Sequence, residues 1–177
     1  MPTDHRNGPE TARLIHRAFR PDDAPAVFAL NSDPEVMRYT AEPLLTSVDE
    51  ALARIQNYPD WDTVGYGRWA CVLKDTDEVI GFCGLKHFAD EDLVDVGYRL
   101  RREFWGRGLA TEAARASVAY GFDVLGLQRI EGHALPENTA SHRVLEKCAL
   151  RPDGEFFERD LRVLRFVIDR AGYDALA

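Results

Sequence analysis

Residues 94–114 read VDVGYRLRREFWGRGLATEAA, and the order of patterns in this stretch decides the fold. The first part alternates apolar and polar side chains, which predicts a strand over residues 93–100. Gly106 and Gly108 follow in a turn, and apolar residues at helical spacing then predict an alanine-rich helix over about residues 109–125. The chain therefore passes from a strand through a glycine turn directly into a long helix.

The glycine turn, residues 105–110, has the properties of an anion-binding site. The first N–H groups of a helix lack partners within it and carry partial positive charge, and glycines let a ligand approach the backbone closely. Arg107 adds a formal charge, so the turn is suited to a phosphate or pyrophosphate. On spacing alone, a tight structural turn explains Gly106 and Gly108 equally well. The pattern matches neither a Walker P-loop nor a three-glycine dinucleotide fingerprint.

Further strand and helix patterns lie on both sides of this stretch. Helices precede three consecutive strands, and after the long helix come a strand, a helix that begins at Asn138, and a closing hairpin. This order predicts an α+β fold with a mostly antiparallel sheet and one parallel crossover around the long helix. Besides residues 93–100, the predicted strands span residues 13–19 (an expected sheet edge), 68–74, 79–87, 129–135, 154–158 and 162–168.

The composition indicates a globular protein with no membrane or nucleic-acid role. The chain has 177 residues, which suits a single domain over residues 11–177 after a loose segment over residues 1–10. No apolar run is long enough to cross a bilayer and no secretion signal is visible, so we expect a cytoplasmic protein. The net charge of −8 argues against binding to nucleic acid and favours a cationic substrate. Three scattered cysteines predict buried thiols and no metal site.

The glycine turn resembles the central motif of the GNAT (general N-acetyltransferase) superfamily, [Gln/Arg]-x-x-Gly-x-[Gly/Ala]. Gly108 and Ala110 match the last two fixed places, while Trp105 stands where Gln or Arg is usual. The form FWGRGLATEA is similar to that of the ribosomal-protein N-terminal acetyltransferase branch. The resemblance covers residues 11–169 and implies a GNAT-like layered fold, with a mixed sheet of six to seven strands flanked by helices. A splayed strand pair in that sheet would hold the cofactor. Other segments similar to the branch are residues 13–14, 20–23, 32–37, 67–69, 80–82 and 136–141.

The resemblance implies acetyl-CoA as the acyl donor and no metal. The pantetheine arm would pair with the backbone of residues 98–100, and the pyrophosphate would take N–H groups from residues 106–110. Helix capping is an alternative role for Asn138 and Ser141, and a solvated helix face is the alternative for Arg143. The implied cofactor contacts are Tyr98, Arg99, Leu100, Trp105, Gly106, Arg107, Gly108, Leu109, Ala110, Thr111, Asn138, Ser141 and Arg143.

The resemblance also implies catalytic roles for Ser141, Asn138 and Glu155. Many family members carry a tyrosine seven residues after the asparagine as the general acid, but Leu145 stands there in this chain. Ser141, which the family places near the thioester sulfur, is therefore the candidate proton donor to the leaving thiolate. The oxyanion donor is expected to be a backbone N–H near Leu100.

Three residues are candidates for the general base. Glu155 lies where the branch places a catalytic glutamate and is ranked first, with a solvated strand end as the alternative. Asp95 and His133 lie on the two strands expected to flank the cleft, with a surface position and a packed strand histidine as their alternatives. Four aromatic residues either line an acceptor pocket or belong to the core: Trp61, Tyr66, Trp69 and Phe104.

Together these features predict an acetyl-CoA-dependent N-acetyltransferase that acts on a primary amine, either a protein N-terminus or a small molecule. The amine would attack the thioester directly. A non-catalytic module that binds acyl-CoA and signals its level is the alternative, and transfer of a larger acyl group such as succinyl is a third possibility. We expect a monomer or a homodimer with no nucleic-acid partner.

Overall fold

The computed structural model describes residues 4–176, and eight strands and seven α-helices lie within that range. Two short 3-10 helices, Pro21–Asp23 and Arg102–Phe104, connect longer elements. The strands are β1 Asn7–Glu10, β2 Leu14–Arg17, β3 Arg68–Leu73, β4 Val79–Phe88, β5 Leu93–Leu100, β6 Arg129–Ala134, β7 Arg151–Glu158 and β8 Leu161–Asp169. The helices are α1 Ala24–Ser32, α2 Pro34–Met37, α3 Val48–Gln56, α4 Asp60–Thr63, α5 Leu109–Asp123, α6 Thr139–Lys147 and α7 Arg170–Asp174.

All the described strands join one sheet in the order β1-β2-β3-β4-β5-β6-β8-β7. Every neighbouring pair is antiparallel except β5 and β6, which run parallel on either side of the crossover through α5. The predicted α+β fold with a mostly antiparallel sheet is therefore confirmed. The described sheet has one strand more than the upper expectation of seven, because residues near the N-terminus add a strand.

The pair β5–β6 is splayed. The two strands meet only at Asp95 and Glu131, and beyond that point β5 stays with β4 while β6 stays with β8. An opening, which we call the strand gap, therefore widens from this junction towards Leu100 on one side and Ala134 on the other. A strand edge inside a sheet is left without a partner here, which is the feature that an extended amide-bearing ligand requires.

The N-terminal region departs from the sequence-based expectation. Residues 7–10 form β1, which pairs with β2, so this part of the expected loose segment over residues 1–10 is ordered in the sheet. Gly8 allows that pairing, because a Cβ there would lie 2.7 Å from the ring of Trp69. Residues 1–3 lie outside the described residues. The expectation that residues 13–19 form a sheet edge was wrong, since β1 covers β2 and the edges are β1 and β7.

Helices cover both faces of the sheet. On one face α1 packs through Ala26 near Ala70 and Val72 of β3, and α3 packs against α1. On the other face α5 buries Val118 and Phe122 against the apolar side chains of β4 and β5. This two-sided covering explains why β5 has no exposed residue and β4 has one, at its end. No helix within residues 4–176 combines the length and the apolar character needed to span a bilayer.

Close contact between α5 and the sheet depends on a glycine. A Cβ at Gly121 would lie 2.7 Å from Cδ1 of Ile130 and 2.8 Å from Cδ1 of Leu85, which is shorter than real side chains allow. The helix therefore sits low on the sheet and its first turn comes close to the end of β5. Packing of α5 thus fixes where the glycine turn lies relative to the strand gap.

Candidate active site

The glycine turn has a backbone that only glycine adopts easily. Gly106 has φ of 73° and Gly108 has φ of 74°, both in the left-handed region. Gly108 is the N-cap of α5, and no side chain caps the helix there. Within residues 4–176, no N–H group from Gly106 to Thr111 donates to an acceptor. Six consecutive free donors at a helix N-terminus form the local arrangement that binds anions.

The turn is held by a residue that the sequence-based reasoning missed, Glu112. Its carboxylate accepts from the Thr11 hydroxyl (2.6 Å), the Arg13 N–H (2.9 Å) and Nε of Arg13 (2.6 Å). Arg13 in turn donates to the carbonyl of Arg107 at 2.9 Å. Although partial burial works in the opposite direction, these hydrogen bonds hold the pKa of Glu112 below its ordinary value. The sequence did contain one sign of this role, because an acidic residue in the first turn of a helix is favoured by the helix dipole.

The edge of β5 that faces the strand gap can be assigned from its other side. Arg101 donates its N–H to the carbonyl of Ile80 at 2.8 Å, and backbone groups alternate sides along a strand. Tyr98 and Leu100 therefore direct their N–H and C=O groups away from β4 and towards the gap. The carbonyl of Leu100 is already occupied, because the indole Nε1 of Trp105 donates to it at 2.7 Å. The free groups at this edge are both backbone groups of Tyr98 and the N–H of Leu100.

Ser141 is attached to the wall of the gap through Tyr98. The hydroxyl oxygens of the two residues lie 2.7 Å apart, and the Tyr98 hydroxyl also lies 3.1 Å from the Ser141 carbonyl. Burial raises the pKa of Tyr98 well above its ordinary value, so the phenol keeps its proton. Asn138 is the N-cap of α6 and accepts from the N–H of Ser141 at 3.2 Å, which confirms the expected capping. The role of the Tyr98 hydroxyl was missed, since the sequence pattern assigned only its backbone.

A cluster of ionisable groups lies at the closed end of the gap. Asp95 and Glu131 are paired across β5 and β6, and their residues are only 7% and 6% exposed. His133 lies one step further along β6 on the same face, with Nε2 2.9 Å from Glu131 and Nδ1 3.9 Å from Asp95. Because a carboxylate can only accept, the shorter contact, with Glu131, favours the tautomer that carries the proton on Nε2, and Nδ1 then faces Asp95. We call these three residues the carboxylate–histidine cluster.

Glu155 is not brought to this cluster. It lies on the edge strand β7, and the whole of β8 separates β7 from β6, a lateral distance of about 10 Å at the usual strand spacing. Its carboxylate accepts from Nε of Arg162 at 2.8 Å. The structure therefore places Glu155 two strands from the gap, because β8 inserts between β6 and β7, and its role as the general base stays a prediction of the resemblance. Sequence order gives no sign of that insertion.

The charged side chains of the predicted cofactor site point to different places. Arg107 and Arg143 are exposed and make no ion pair with any residue in the range 4–176, so they remain free to meet an anion. Arg99 turns its side chain to the opposite sheet face from Tyr98, where it binds Asn31 and Glu42. The backbone N–H and C=O of Arg99 face β4, so neither these groups nor its side chain points into the strand gap.

A second concavity lies on the face covered by α1 and α3. It has a volume of about 540 Å³, and because arginines dominate its charged lining we call it the arginine cavity. Of the four aromatic residues predicted for an acceptor pocket, Trp61 lines this cavity, while Trp69 and Phe104 are buried in packing. Tyr66 packs against the main core. The arginines that line the cavity are Arg6, Arg17, Arg20, Arg54, Arg68 and Arg99.

The cysteines take no visible part in the site. All three are buried and free, as expected, and burial raises the pKa of Cys83 and of Cys148 to about 12. Thiols with such pKa values are poor nucleophiles at neutral pH. Across the described residues, no group of three or more potential ligand side chains is arranged to hold a metal ion.

Comparisons with known proteins agree with this geometry. A family model described as an acetyltransferase (GNAT) domain matches residues 13–151. The uncharacterized N-acetyltransferase p20 of Bacillus licheniformis is 38% identical over 81% of this chain and 82% of its own length. The FsC-acetyl coenzyme A-N(2)-transacetylase of Aspergillus fumigatus is 32% identical over 84% of this chain and 67% of its own. The crystal structure of a GNAT-family acetyltransferase from Bacillus anthracis superposes with a TM-score of 0.78 at 26% identity, covering 90% of this chain and 96% of that one.

Proposed function

This chain belongs to the GNAT family of acetyltransferases, and from that premise we propose that it moves an acetyl group from acetyl-CoA to a primary amine by direct attack on the thioester. The observation that carries the proposal is the run of six free N–H groups over residues 106–111, beside the open edge of β5. When bound, acetyl-CoA supplies the activated acyl carbonyl and a thiolate leaving group. The Aspergillus fumigatus relative has acetyl coenzyme A in its name, which supports this donor.

The glycine turn fits a pyrophosphate in shape and charge. No described atom lies within 4 Å of where a Cβ at Gly106 would stand, so the backbone is open to a ligand. The N-terminus of α5 contributes partial positive charge, and Arg107 is free to contribute a full one. Thr111 adds a hydroxyl at the same end of the helix. In this proposal Ala110 and its neighbours bind through the backbone alone.

The open edge of β5 positions the rest of the donor. The C=O of Tyr98 and the N–H of Leu100, the free groups nearer the glycine turn, pair with an amide of the pantetheine arm in the manner of an added strand. The N–H of Tyr98, which lies farther from the turn and nearer the closed end of the gap, then becomes the donor to the carbonyl oxygen that gains negative charge during attack. The indole of Trp105 donates to the Leu100 carbonyl and so holds the peptide unit between Leu100 and Arg101 at the end of β5.

The carboxylate–histidine cluster supplies the base. Nδ1 of His133 accepts the proton that the attacking amine loses, and Asp95 at 3.9 Å stabilises the imidazolium that results. Glu131 fixes the tautomer by holding the Nε2 proton. Among the three sequence-derived candidates this choice has geometric support, because Asp95 and His133 adjoin the gap and Glu155 does not.

Ser141 supplies the acid. Its hydroxyl gives a proton to the departing thiolate, and the Tyr98 hydroxyl at 2.7 Å is placed to donate to the serine oxygen in return. Two hydroxyls in line spread the proton transfer over two short hydrogen bonds, which offsets the weak acidity of a lone serine. Asn138 acts by capping α6 and so holds Ser141 in position.

The proposal is tested by an acceptor screen. Purified protein with acetyl-CoA is offered a broad panel of amines, including small amines and short peptides with free N-termini. We expect release of coenzyme A, detected as free thiol, together with one acetyl group added to one class of acceptor by mass measurement. If the protein binds acetyl-CoA in calorimetry but releases no thiol with any amine, the proposal fails and a non-catalytic acyl-CoA sensor is the better description.

A further inference from the structure

The arginine cavity has a charge that the composition of the chain does not suggest. Six arginines line it, against two carboxylates, Glu42 and Asp62, although the whole chain carries a net charge of −8. Half a dozen guanidinium groups around about 540 Å³ create a local positive potential. The contacts of each arginine decide whether that potential is already compensated.

Two of the arginines are compensated. Arg17 makes two hydrogen bonds to Asp23, at 2.7 Å and 3.0 Å, so its charge is matched by a carboxylate behind the cavity wall. Arg6 pairs with Asp62 at 2.9 Å. The charge of each of these two guanidinium groups is therefore partly neutralised before a ligand binds.

Three other arginines are under-compensated. Glu42 is shared by Arg54 at 3.1 Å and by Arg99 at 3.0 Å, so one carboxylate serves two cations. Arg68 gives one nitrogen to Asp95, but its buried Nε has no partner among the described residues. Burial holds the pKa of Arg99 below its ordinary value; Glu42 opposes that shift, and Arg68 and Arg54 add to it. Hydrogen-bond donors without partners and repulsion between neighbouring guanidinium groups both favour the binding of an anion.

The same three-arginine group surrounds an apolar surface. The ring of Phe82 lies under the guanidinium groups of Arg68 and Arg99, with centroid distances of 5.4 Å and 5.3 Å. Val27 and Leu30 of α1 line the opposite wall. A ligand that fits this site therefore combines an anionic group with an apolar body. The volume is that of a small-molecule site.

We propose that the arginine cavity binds the acceptor, and that the acceptor is a small primary amine that carries a carboxylate and an apolar side chain. The inference rests on the proposed acetyl transfer. The carboxylate meets Arg99, Arg68 and Arg54, and the apolar part lies on Phe82. Arg99 follows Tyr98 on β5, so an amine a few bonds from that carboxylate lies near the part of the strand gap where the thioester is proposed.

This substrate class reverses the expectation drawn from net charge. An acidic chain was expected to favour a cationic substrate, but the charge at the cavity is local and has the opposite sign. A polyamine would place a second ammonium group against Arg54 and Arg99, and like charges at contact are unfavourable by several kcal/mol. The cavity therefore selects its acceptor by the carboxylate that the acceptor carries.

The test uses sets of matched ligands. Each apolar L-α-amino acid is compared with its α-carboxamide and with the decarboxylated amine, first by calorimetry on protein loaded with coenzyme A and then by kcat/KM with acetyl-CoA. We expect the carboxylate member of at least one set to bind about 10-fold or more tightly than the other two. Arg99→Gln and, separately, Arg54→Gln are expected to remove that difference. Arg38→Gln, an exposed arginine outside the cavity, is the charge-matched control and keeps it.

The outcomes separate this inference from the function on which it rests. If carboxylate and carboxamide bind equally, or if no carboxylate in the panel binds, the inference is overturned. It is also overturned if neutral amines or peptide N-termini are acetylated with a kcat/KM at least as high as that of every carboxylate in the panel. In that case the proposed acetyl transfer is still supported. Carboxylate-selective binding that depends on Arg99, without any release of coenzyme A, supports the ligand class and removes the proposed function instead.

Discussion

The glycine turn follows the end of β5, and the arginine cavity is lined by Arg99 of the same strand. Both are proposed to bind anions, but they are built in different ways. The turn offers backbone N–H groups from six consecutive residues, 106–111. The cavity offers side chains from three elements, with Arg54 on α3, Arg68 on β3 and Arg99 on β5. A backbone site needs only local conformation, whereas a side-chain site exists only once distant elements have packed. The difference explains why one was visible as a motif and the other was not.

The largest effect is expected from breaking the backbone site. Gly108→Glu places a carboxylate where the pyrophosphate is proposed, so acetyl-CoA affinity should fall by at least about 1000-fold, since like charges at contact oppose binding by several kcal/mol. A Cβ at this position lies 3.7 Å from Arg13, an ordinary contact, so the side chain meets no steric clash and the cost to the fold is the strain of the positive φ. Titration calorimetry measures the affinity.

Gly126→Glu is the matched control for this variant. Gly126 also has positive φ, at 69°, and no described atom lies within 4 Å of its Cβ position. Both variants should therefore lose a similar amount of stability, about 1–2 kcal/mol from left-handed strain, while only the Gly108 variant loses the cofactor. Equal acetyl-CoA affinity in the two variants would rule out the pyrophosphate assignment.

The next effect distinguishes two parts of the sheet, the strand gap and the outer edge. His133→Gln should lower kcat by about 100-fold, because it removes the proposed base. Glu155→Gln, two strands away on β7, should change kcat by less than about 2-fold, as expected for a substitution outside the site. Steady-state thiol release at saturating acetyl-CoA measures both rates. If kcat fell strongly in the Glu155 variant and only slightly in the His133 variant, Glu155 on β7 would be the general base instead of His133.

A smaller effect is expected from the acid. Ser141→Ala should lower kcat by about 10-fold and leave acetyl-CoA affinity nearly unchanged, because water can protonate a thiolate at a lower rate. Tyr98→Phe, which keeps the ring and removes the hydroxyl, should give a loss of the same kind but no larger. Parallel kinetics and calorimetry separate turnover from binding. An unchanged kcat in the Ser141 variant would remove this residue from the acid role.

The smallest effect concerns the attachment of the turn. Glu112→Gln should lower the free energy of unfolding by about 1–2 kcal/mol at pH 7, since charge-assisted hydrogen bonds to Arg13 are lost. The pKa of Glu112 is depressed in the folded protein, so this contribution is complete above its ordinary value of 4.5 and disappears as pH falls through the lowered value.

Denaturant unfolding of Glu112→Gln and the parent protein at pH 7 and at pH 3 measures this change. The difference between the two proteins should shrink at the lower pH. Glu146→Gln, an exposed glutamate on α6, is the control and should change stability at neither pH. A difference that stayed constant with pH would mean that the charge of Glu112 does not hold the turn.

Much of the fold was predictable because its signals are local. Alternation over residues 93–100 and the glycines after it were sufficient to predict strand, turn and helix, and Asn138 was recognised as a helix cap. The N-terminal strand was missed because Asn7–Glu10 contains glycine and proline, which argue against a strand. Its pairing with β2 outweighs that weak local preference, and only the tertiary structure contains that pairing.

The candidate site divides in the same way. Ser141 and the turn residues follow from short-range patterns, but the contact of Ser141 with Tyr98 joins positions 43 residues apart. Glu155 was ranked above His133 on the family resemblance, and sequence order cannot tell that β8 inserts between β6 and β7. The meeting of Arg54, Arg68 and Arg99 around Phe82 has no sequence signal, since these four residues are spread over positions 54 to 99 with no regular spacing.

The sequence by itself determined the family, the strand–turn–helix unit and the free backbone N–H groups of the proposed anion site, because each depends on interactions between residues a few positions apart. Only the tertiary structure decided which carboxylates and histidine meet at the strand gap, and the sign of the charge at the arginine cavity. Those properties arise from strand order and from packing of α1 and α3 on the sheet, which bring together side chains that are distant in the chain. Electrostatic potential depends on distance in space, and the sequence records only distance along the chain.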